Sequence, residues 1–218
     1  MEPAGLRVSG AREGGWLPPL LFAAFAAVWL ALAWDPWYRE DWALENVLVG
    51  LGLLWLVRRH RVAPFSDTAY VLLFVFGVLH EIGAHHTYSE VPYDAWARAL
   101  TGHTVSDVLG LARNHFDRLA HFAFGLLLFR PVREYVETDG PLPGAASYLY
   151  PVALLATMSL VFELFEWGAA EVFGGDLGQA YLGTQGDVWD AQKDMALALL
   201  GSVIAAVTTM LMARKNPC

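Results

Sequence analysis

The chain has 218 residues, of which 56% are hydrophobic, 13% aromatic and only 17% charged, with a mean hydropathy of +0.39. That composition excludes an ordinary water-soluble globule and indicates a membrane protein of about one domain. A formal net charge of −8 without any Lys/Arg run excludes a nucleic-acid partner; a single cysteine, Cys218, excludes an intrachain disulfide and a cysteine-based metal framework.

Residues 1–16 read as an N-terminal tail carrying Arg7 and Arg12. The apolar run from Leu17 to Trp34 resembles a signal peptide, with Ala31-Leu32-Ala33 as a cleavage tripeptide. Its length, about 18 residues, exceeds the usual 7–15-residue apolar region and approaches the ~20 that cross a bilayer, so an uncleaved anchor is expected. Five further spans are expected near residues 44–58, 68–86, 114–130, 147–170 and 190–213. The expected fold is an all-α, six-helix membrane bundle over residues 17–213, followed by a tail at 214–218. The fourth span is purely apolar only from Phe122 to Phe129, so it requires Arg113 to Arg118 to form buried outer turns. Pro36, Pro64, Pro131, Pro141 and Pro143 mark span boundaries. Residues 87–113 form a long connection with apolar content for one or two short helices, a cap over one end of the bundle.

Loop charge sets the expected orientation, because Lys and Arg are retained on the cytoplasmic side. Arg7, Arg12, Arg58, Arg59, Arg61, Arg130, Arg133, Arg214 and Lys215 fall on one side with both termini, which places the termini in the cytoplasm. Trp34, Trp37, Trp42, Trp167 and Trp189 fall at the opposite boundary, as amphipathic rings do at a headgroup interface.

Ionisable side chains within these spans carry the chemistry. Each costs roughly 2.5–3.5 kcal/mol on insertion scales and by default faces protein or a water-filled cavity. They fall in HEIGAHH (His80 to His86), FDRLAHF (Phe116 to Phe122), FELFEW (Phe162 to Trp167) and GDVWDAQKD (Gly186 to Asp194), at the external ends of four helices. His80 and His85 are one residue too far apart for the HExxH arrangement and point about 140° apart, which argues against an intramembrane zinc protease. Glu81 and His85, like Asp117 and His121, are i,i+4 and share a helix face. Glu163 and Glu166 stand one turn apart, and Asp187, Asp190 and Asp194 form a stripe if the last helix begins near Asp187.

Seven carboxylates (Glu81, Asp117, Glu163, Glu166, Asp187, Asp190 and Asp194) face three cations (Arg113, Arg118 and Lys193), an excess of four negative charges. Protons or bound cations must close that gap. Carboxylates mixed with imidazoles suit zinc, manganese or iron, and magnesium or calcium if the histidines stay back. The expected ligands are Glu81, His80, His85, Glu163, Glu166, Asp187, Asp190 and Asp194. The bland alternative is a set of interhelical ion pairs, such as Asp117 with Arg118 or Asp194 with Lys193, that only fix packing.

The segments HEIGAHHTYSEVPYD (His80 to Asp94), RNHFDRLAHF (Arg113 to Phe122), FELFEW and YLGTQGDVWDAQKDM (Tyr181 to Met195) resemble those of the YjdF-like bacterial inner-membrane family. That resemblance implies a six-span inner-membrane protein. A more distant similarity is to VanZ-like proteins, carried by Asp117-Arg118-Leu119-Ala120-His121-Phe122, by the acidic helix with Glu163 and Glu166, and by the aspartate-led last span. It implies action on lipids or lipid-linked envelope precursors. HEIGAHH has no counterpart there, so the metal expectation rests on the residues of this chain.

The leading expectation is a metal-dependent enzyme of the outer leaflet that hydrolyses or transfers a phosphate-linked headgroup of a membrane lipid or lipid-linked precursor. Asp117 and His121 would act as base and orienter or as further ligands, Asp194 could instead support the ligands from behind, and Arg113, Arg118 and Lys193 would hold phosphate. No serine or cysteine stands beside them in a nucleophile motif, so water is the expected attacker. The competing expectations are a proton- or cation-coupled transporter and a lipid-binding or structural membrane protein.

Overall fold

The computed structural model describes residues 15–173 and 182–215, and within them the chain is all-helical. Arg7, Arg12, Tyr181 and Cys218 lie outside the described residues. The helices are α1 (Leu17–Leu32), α2 (Arg39–Val62), α3 (Asp67–His85), α4 (Tyr93–Thr101), α5 (Val105–Leu109), α6 (Phe116–Val136), α7 (Ala146–Phe173) and α8 (Asp190–Lys215).

Local chemistry explains the starts and stops. Proline occupies the first turn of α1, where its missing N–H is no loss. The Ser66 hydroxyl caps α3 by accepting from the Ala69 amide at 3.3 Å. In the long connection, Thr104 caps α5 by accepting from Asp107 N at 2.9 Å, and Gly102 closes α4 in the left-handed region. The two short helices expected between residues 87 and 113 are therefore present.

Two boundaries differ from the sequence reading. Helix α6 begins at Phe116, leaving Arg113, Asn114 and His115 in the preceding loop, and it runs through Pro131 to Val136. Pro131 forfeits one backbone bond but is itself buried, while Arg130–Glu134 at 2.9 Å and Arg133–Glu137 at 3.5 Å support the turns beyond it. Helix α2 begins at Arg39, five residues before the expected span, so it carries Asp41 and Glu45 within its first two turns.

Helices α3, α7 and α8 are long and apolar enough to cross a membrane. Helix α1 is apolar but has 16 residues, and α2 and α6 carry charges at both ends. The helices by themselves therefore support a membrane protein without fixing six crossings. Large apolar side chains cover the outside, among them Leu30, Leu54 and Leu160, as lipid contact requires.

Helix α6 is central, packing against α3, α7 and α8, while α1 and α2 lean on α3. Its tightest partner is α8. A Cβ at Gly125 would collide with the Ala198 carbonyl, and one at Gly201 with the Phe122 carbonyl, so the two backbones touch directly. Two other helical glycines differ: Gly77 lies against Phe25, whereas Gly168 faces open space. Leu128, Phe129, Leu155 and Ala206 make the apolar core between α6, α7 and α8.

The two ends of the bundle differ in chemistry. At one, Glu134 accepts from Ser66, Arg59 donates to Thr138, and Arg133 donates to Ser147. At the other lie the starts of α2, α6 and α8, the end of α3 and the acidic half of α7. Trp34, Trp37, Trp167 and Trp189 are exposed, but Trp42 turns inward with its ring 5.5 Å from Trp29.

Candidate functional site

The stripe that brings α6 and α8 together also builds the site. Asp117, His121 and Gly125 follow one another at intervals of four on α6, and Asp190, Asp194 and Ala198 do so on α8. Backbone contact at Gly125 and Ala198 therefore sets the acidic turns above it face to face.

The outermost layer is a rim of ion pairs. Asp187 precedes α8 instead of standing on it, so the expected three-aspartate stripe is split: the helix starts at Asp190, and the Asp187 carboxylate accepts from the Trp189 amide at 3.1 Å. Arg118 reaches Asp187 at 2.5 Å and Asp190 at 3.2 Å, Arg113 reaches Asp190 at 2.7 Å, and Lys193 reaches Asp187 at 2.5 Å. The Lys193 ammonium, the Trp189 amide and the Arg118 guanidinium hold the Asp187 carboxyl far below the usual carboxylate range. Arg113 also donates to the Thr184 carbonyl at 2.7 Å, and Asn114 exchanges hydrogen bonds with Gln185, which docks the loop before α8. All three expected phosphate-binding cations thus have carboxylate partners within the rim.

Below the rim the cations stop. His121 Nε2 lies 3.5 Å from Asp117 Oδ1 and 3.4 Å from Glu163 Oε1. One ligand atom each from Asp117, His121 and Asp194 lie within 4.8 Å of one another, close enough to surround a single cation. Asp194 Oδ1 and Glu163 Oε1 are buried without a hydrogen-bond partner. Glu163 reaches this point because it continues the packed face of α7 through Pro151, Leu155 and Ser159, at intervals of four.

A third group lies toward α2. Asp41 and Glu45 are the only buried residues of α2, at 1% and 4% exposure, so the helix turns these two acids inward while Leu48, Leu51 and Leu54 stay exposed. Together with Asp117 and Glu166 they line a cavity of about 10 Å³, walled by Thr87 and Tyr88. Thr87 donates to Asp41 at 3.1 Å, and the Tyr88 hydroxyl and His80 Nδ1 share a hydrogen bond of 2.5 Å. Gly83 makes this wall possible, because Tyr88 crosses the space that a Cβ there would fill. Burial among Glu45, Asp117, Glu166 and Glu81 pushes the Tyr88 phenol well above its ordinary value, which keeps it protonated.

The residues of HEIGAHH separate. Glu81 is fully buried, with neither oxygen hydrogen-bonded, while the His85 Nδ1 shares a 2.7 Å bond with the Leu32 carbonyl and so fastens α3 to the end of α1. His86 bonds to the Ile82 carbonyl and packs edge-on to Trp37. Sequence reasoning missed Asp41 and Glu45. The i,i+4 spacing of Asp41 and Glu45 at the head of an apolar run, the same spacing as Asp117 and His121, was the signal that could have found them.

An all-helical chain with an apolar exterior, three helices of membrane-crossing length and buried carboxylates gathered at one end is a helical membrane protein. The chain belongs to the DUF2238 family of predicted membrane proteins, whose model matches residues 17–215. It is 33% identical over 181 residues to the inner membrane protein YjdF of Escherichia coli (strain K12), an alignment that covers 83% of this chain and 80% of that protein. No solved structure matches it.

Proposed function

We propose that this is a six-span inner-membrane protein with both termini in the cytoplasm, which binds a divalent cation at Asp117, His121 and Asp194 and acts on a phosphate-linked lipid headgroup at the outer leaflet. The observation that carries the reading is the convergence of two carboxylates and one imidazole within 4.8 Å, beside a fourth donor, Glu163, whose oxygen has no other partner. Such a mixed donor set suits zinc, manganese or iron. Asp117, His121 and Asp194 would hold the cation, which when bound would supply Lewis-acid polarisation of a phosphoryl oxygen and a nucleophilic water at neutral pH. Water oxygen adds to phosphorus, the bond to the lipid or headgroup alcohol breaks, and the proton taken up by a site carboxylate passes to the departing alkoxide.

The six crossings follow if α2 and α6 keep their charges turned inward and toward the two bundle ends, as the burial of Asp41, Glu45 and His121 supports. Lys193, about half exposed, and Arg118 would take the substrate phosphate in exchange for Asp187. YjdF of Escherichia coli is an inner membrane protein, which agrees with this location.

The test is release of phosphate or headgroup from vesicles that contain phospholipids or lipid-linked diphosphates, with full-length protein loaded with zinc or manganese. Turnover lost on chelation and in Asp194→Asn is the expected result. Turnover indifferent to both, or cation flux into sealed vesicles without any release, overturns the reading, and the second outcome favours a coupled transporter.

A further inference from the structure

The cavity between α2, α6 and α7 shares Asp117 with the site proposed above and is otherwise separate from it. Among the described residues its acidic donors are all oxygens, from Asp41, Glu45, Asp117 and Glu166, and no Lys or Arg lines it. Asp41 Oδ1 and Glu45 Oε2 have no hydrogen-bond partner, although both residues are more than nine-tenths buried. Leaving a carboxylate in that condition costs several kcal/mol unless something positive arrives. The volume, about 10 Å³, is at the threshold for one water molecule, and a small bare cation needs no more. The wall is fixed in advance. Thr87 and Tyr88 both adopt left-handed backbone conformations, at φ of 52° and 47°, and each is tied down by a hydrogen bond.

We propose that this cavity is a second cation site, selective for a hard, oxygen-preferring divalent ion such as magnesium, calcium or manganese, and that Asp117 is shared between it and the site at His121 and Asp194. Oxygen-only coordination separates it from its imidazole-containing neighbour. Asp117 is the one residue that both lines this cavity and belongs to the Asp117, His121 and Asp194 group. A bridging carboxylate between two ions is the arrangement of two-metal phosphoryl-transfer centres, in which one ion holds the attacking oxygen and the other the leaving oxygen. The cavity site itself does not rest on that activity, nor on the neighbouring site being filled.

Manganese(II) alone is a sufficient probe. Full-length protein in detergent is stripped with chelator and titrated with manganese, and free ion is counted by electron paramagnetic resonance. The expected stoichiometry is two per chain, with bound ions spin-coupled. Glu45→Gln and Asp41→Asn, used as independent variants so that misfolding of one does not decide the matter, should each remove one ion and the coupling. In a His121→Ala background, the manganese that remains should be displaced by calcium and lost on adding Glu45→Gln; that result sustains the cavity site even if the His121 site fails. Retention of every bound manganese in folded Glu45→Gln and folded Asp41→Asn overturns the proposal, as does a wild-type chain whose bound ion is lost entirely with His121→Ala.

Discussion

Asp190 and Asp194 stand one turn apart on α8, yet Asp190 has two guanidinium groups beside it and Asp194 faces Asp117 and His121. The rim meets its acids with Arg113, Arg118 and Lys193 from the same chain. The floor beneath it has carboxylates from α2, α3, α6, α7 and α8, and imidazoles in place of arginines. A rim of this kind holds itself together, because each charge has its partner in the fold. The floor is complete only when protons or cations come from outside, and under the proposed reading that difference separates a structural element from a binding one.

Three measurements can break or sharpen the contrast. The largest effect is expected from Arg118→Ala, which leaves Asp187 and Asp190 with fewer partners in a partly buried setting; about 3 kcal/mol of stability should be lost, read by thermal unfolding in detergent. A loss below ~1 kcal/mol would place the rim among surface pairs of little consequence. Next is ion removal. Manganese at a hundredfold excess over its Kd should stabilise the wild type by about 2.7 kcal/mol, and chelation should cancel that gain. Glu163→Gln should keep only the part of the gain that comes from the cavity at Asp41 and Glu45, and its stripped form should be more stable than the stripped wild type, because one member of a crowded set of carboxylates is neutral.

The smallest effect concerns acid. Asp187 has its carboxyl depressed in the folded state, so its contribution is present above the unfolded carboxylate value of about 3.9 and is lost as pH falls toward the folded value. Lys193→Ala removes the largest cause of that depression and should move the onset of acid unfolding to higher pH, followed by circular dichroism. An unchanged onset would mean that Asp187 is held by Arg118 and the Trp189 amide alone.

Much of this arrangement is legible in the residues. Span positions come from hydropathy, and the i,i+4 rule places Asp117 with His121 because both lie within one uninterrupted helix. The same rule misleads at Glu81 and His85. They do share a face of α3, but α3 ends there, and its last residue turns to the Leu32 carbonyl while Glu81 sinks into the bundle. Asp41 and Glu45 escaped because acids ahead of an apolar run read as a solvated helix start. Only tertiary packing shows that this turn of α2 is buried, with Asp41 accepting from Thr87. Pro131 was expected to stop a helix, and the turns around it supply what it lacks. Pairing of Arg113 and Arg118 with aspartates 69 to 77 residues away depends on loop docking at Thr184 and Gln185, which no local pattern encodes.

The glycines at 125 and 201 touch no ion and hold no proton, yet they act as the reference surface of the site. With the α6 and α8 backbones in direct contact, the separation between Asp117 with His121 and Asp194 is set by the thickness of a main chain, with no side chain in between to yield. A single methyl group at either position would act as a shim and widen the donor cluster two turns away. Substitution at these chemically silent positions should therefore both cost stability and spread the donor cluster, because the main chain it presses on cannot yield.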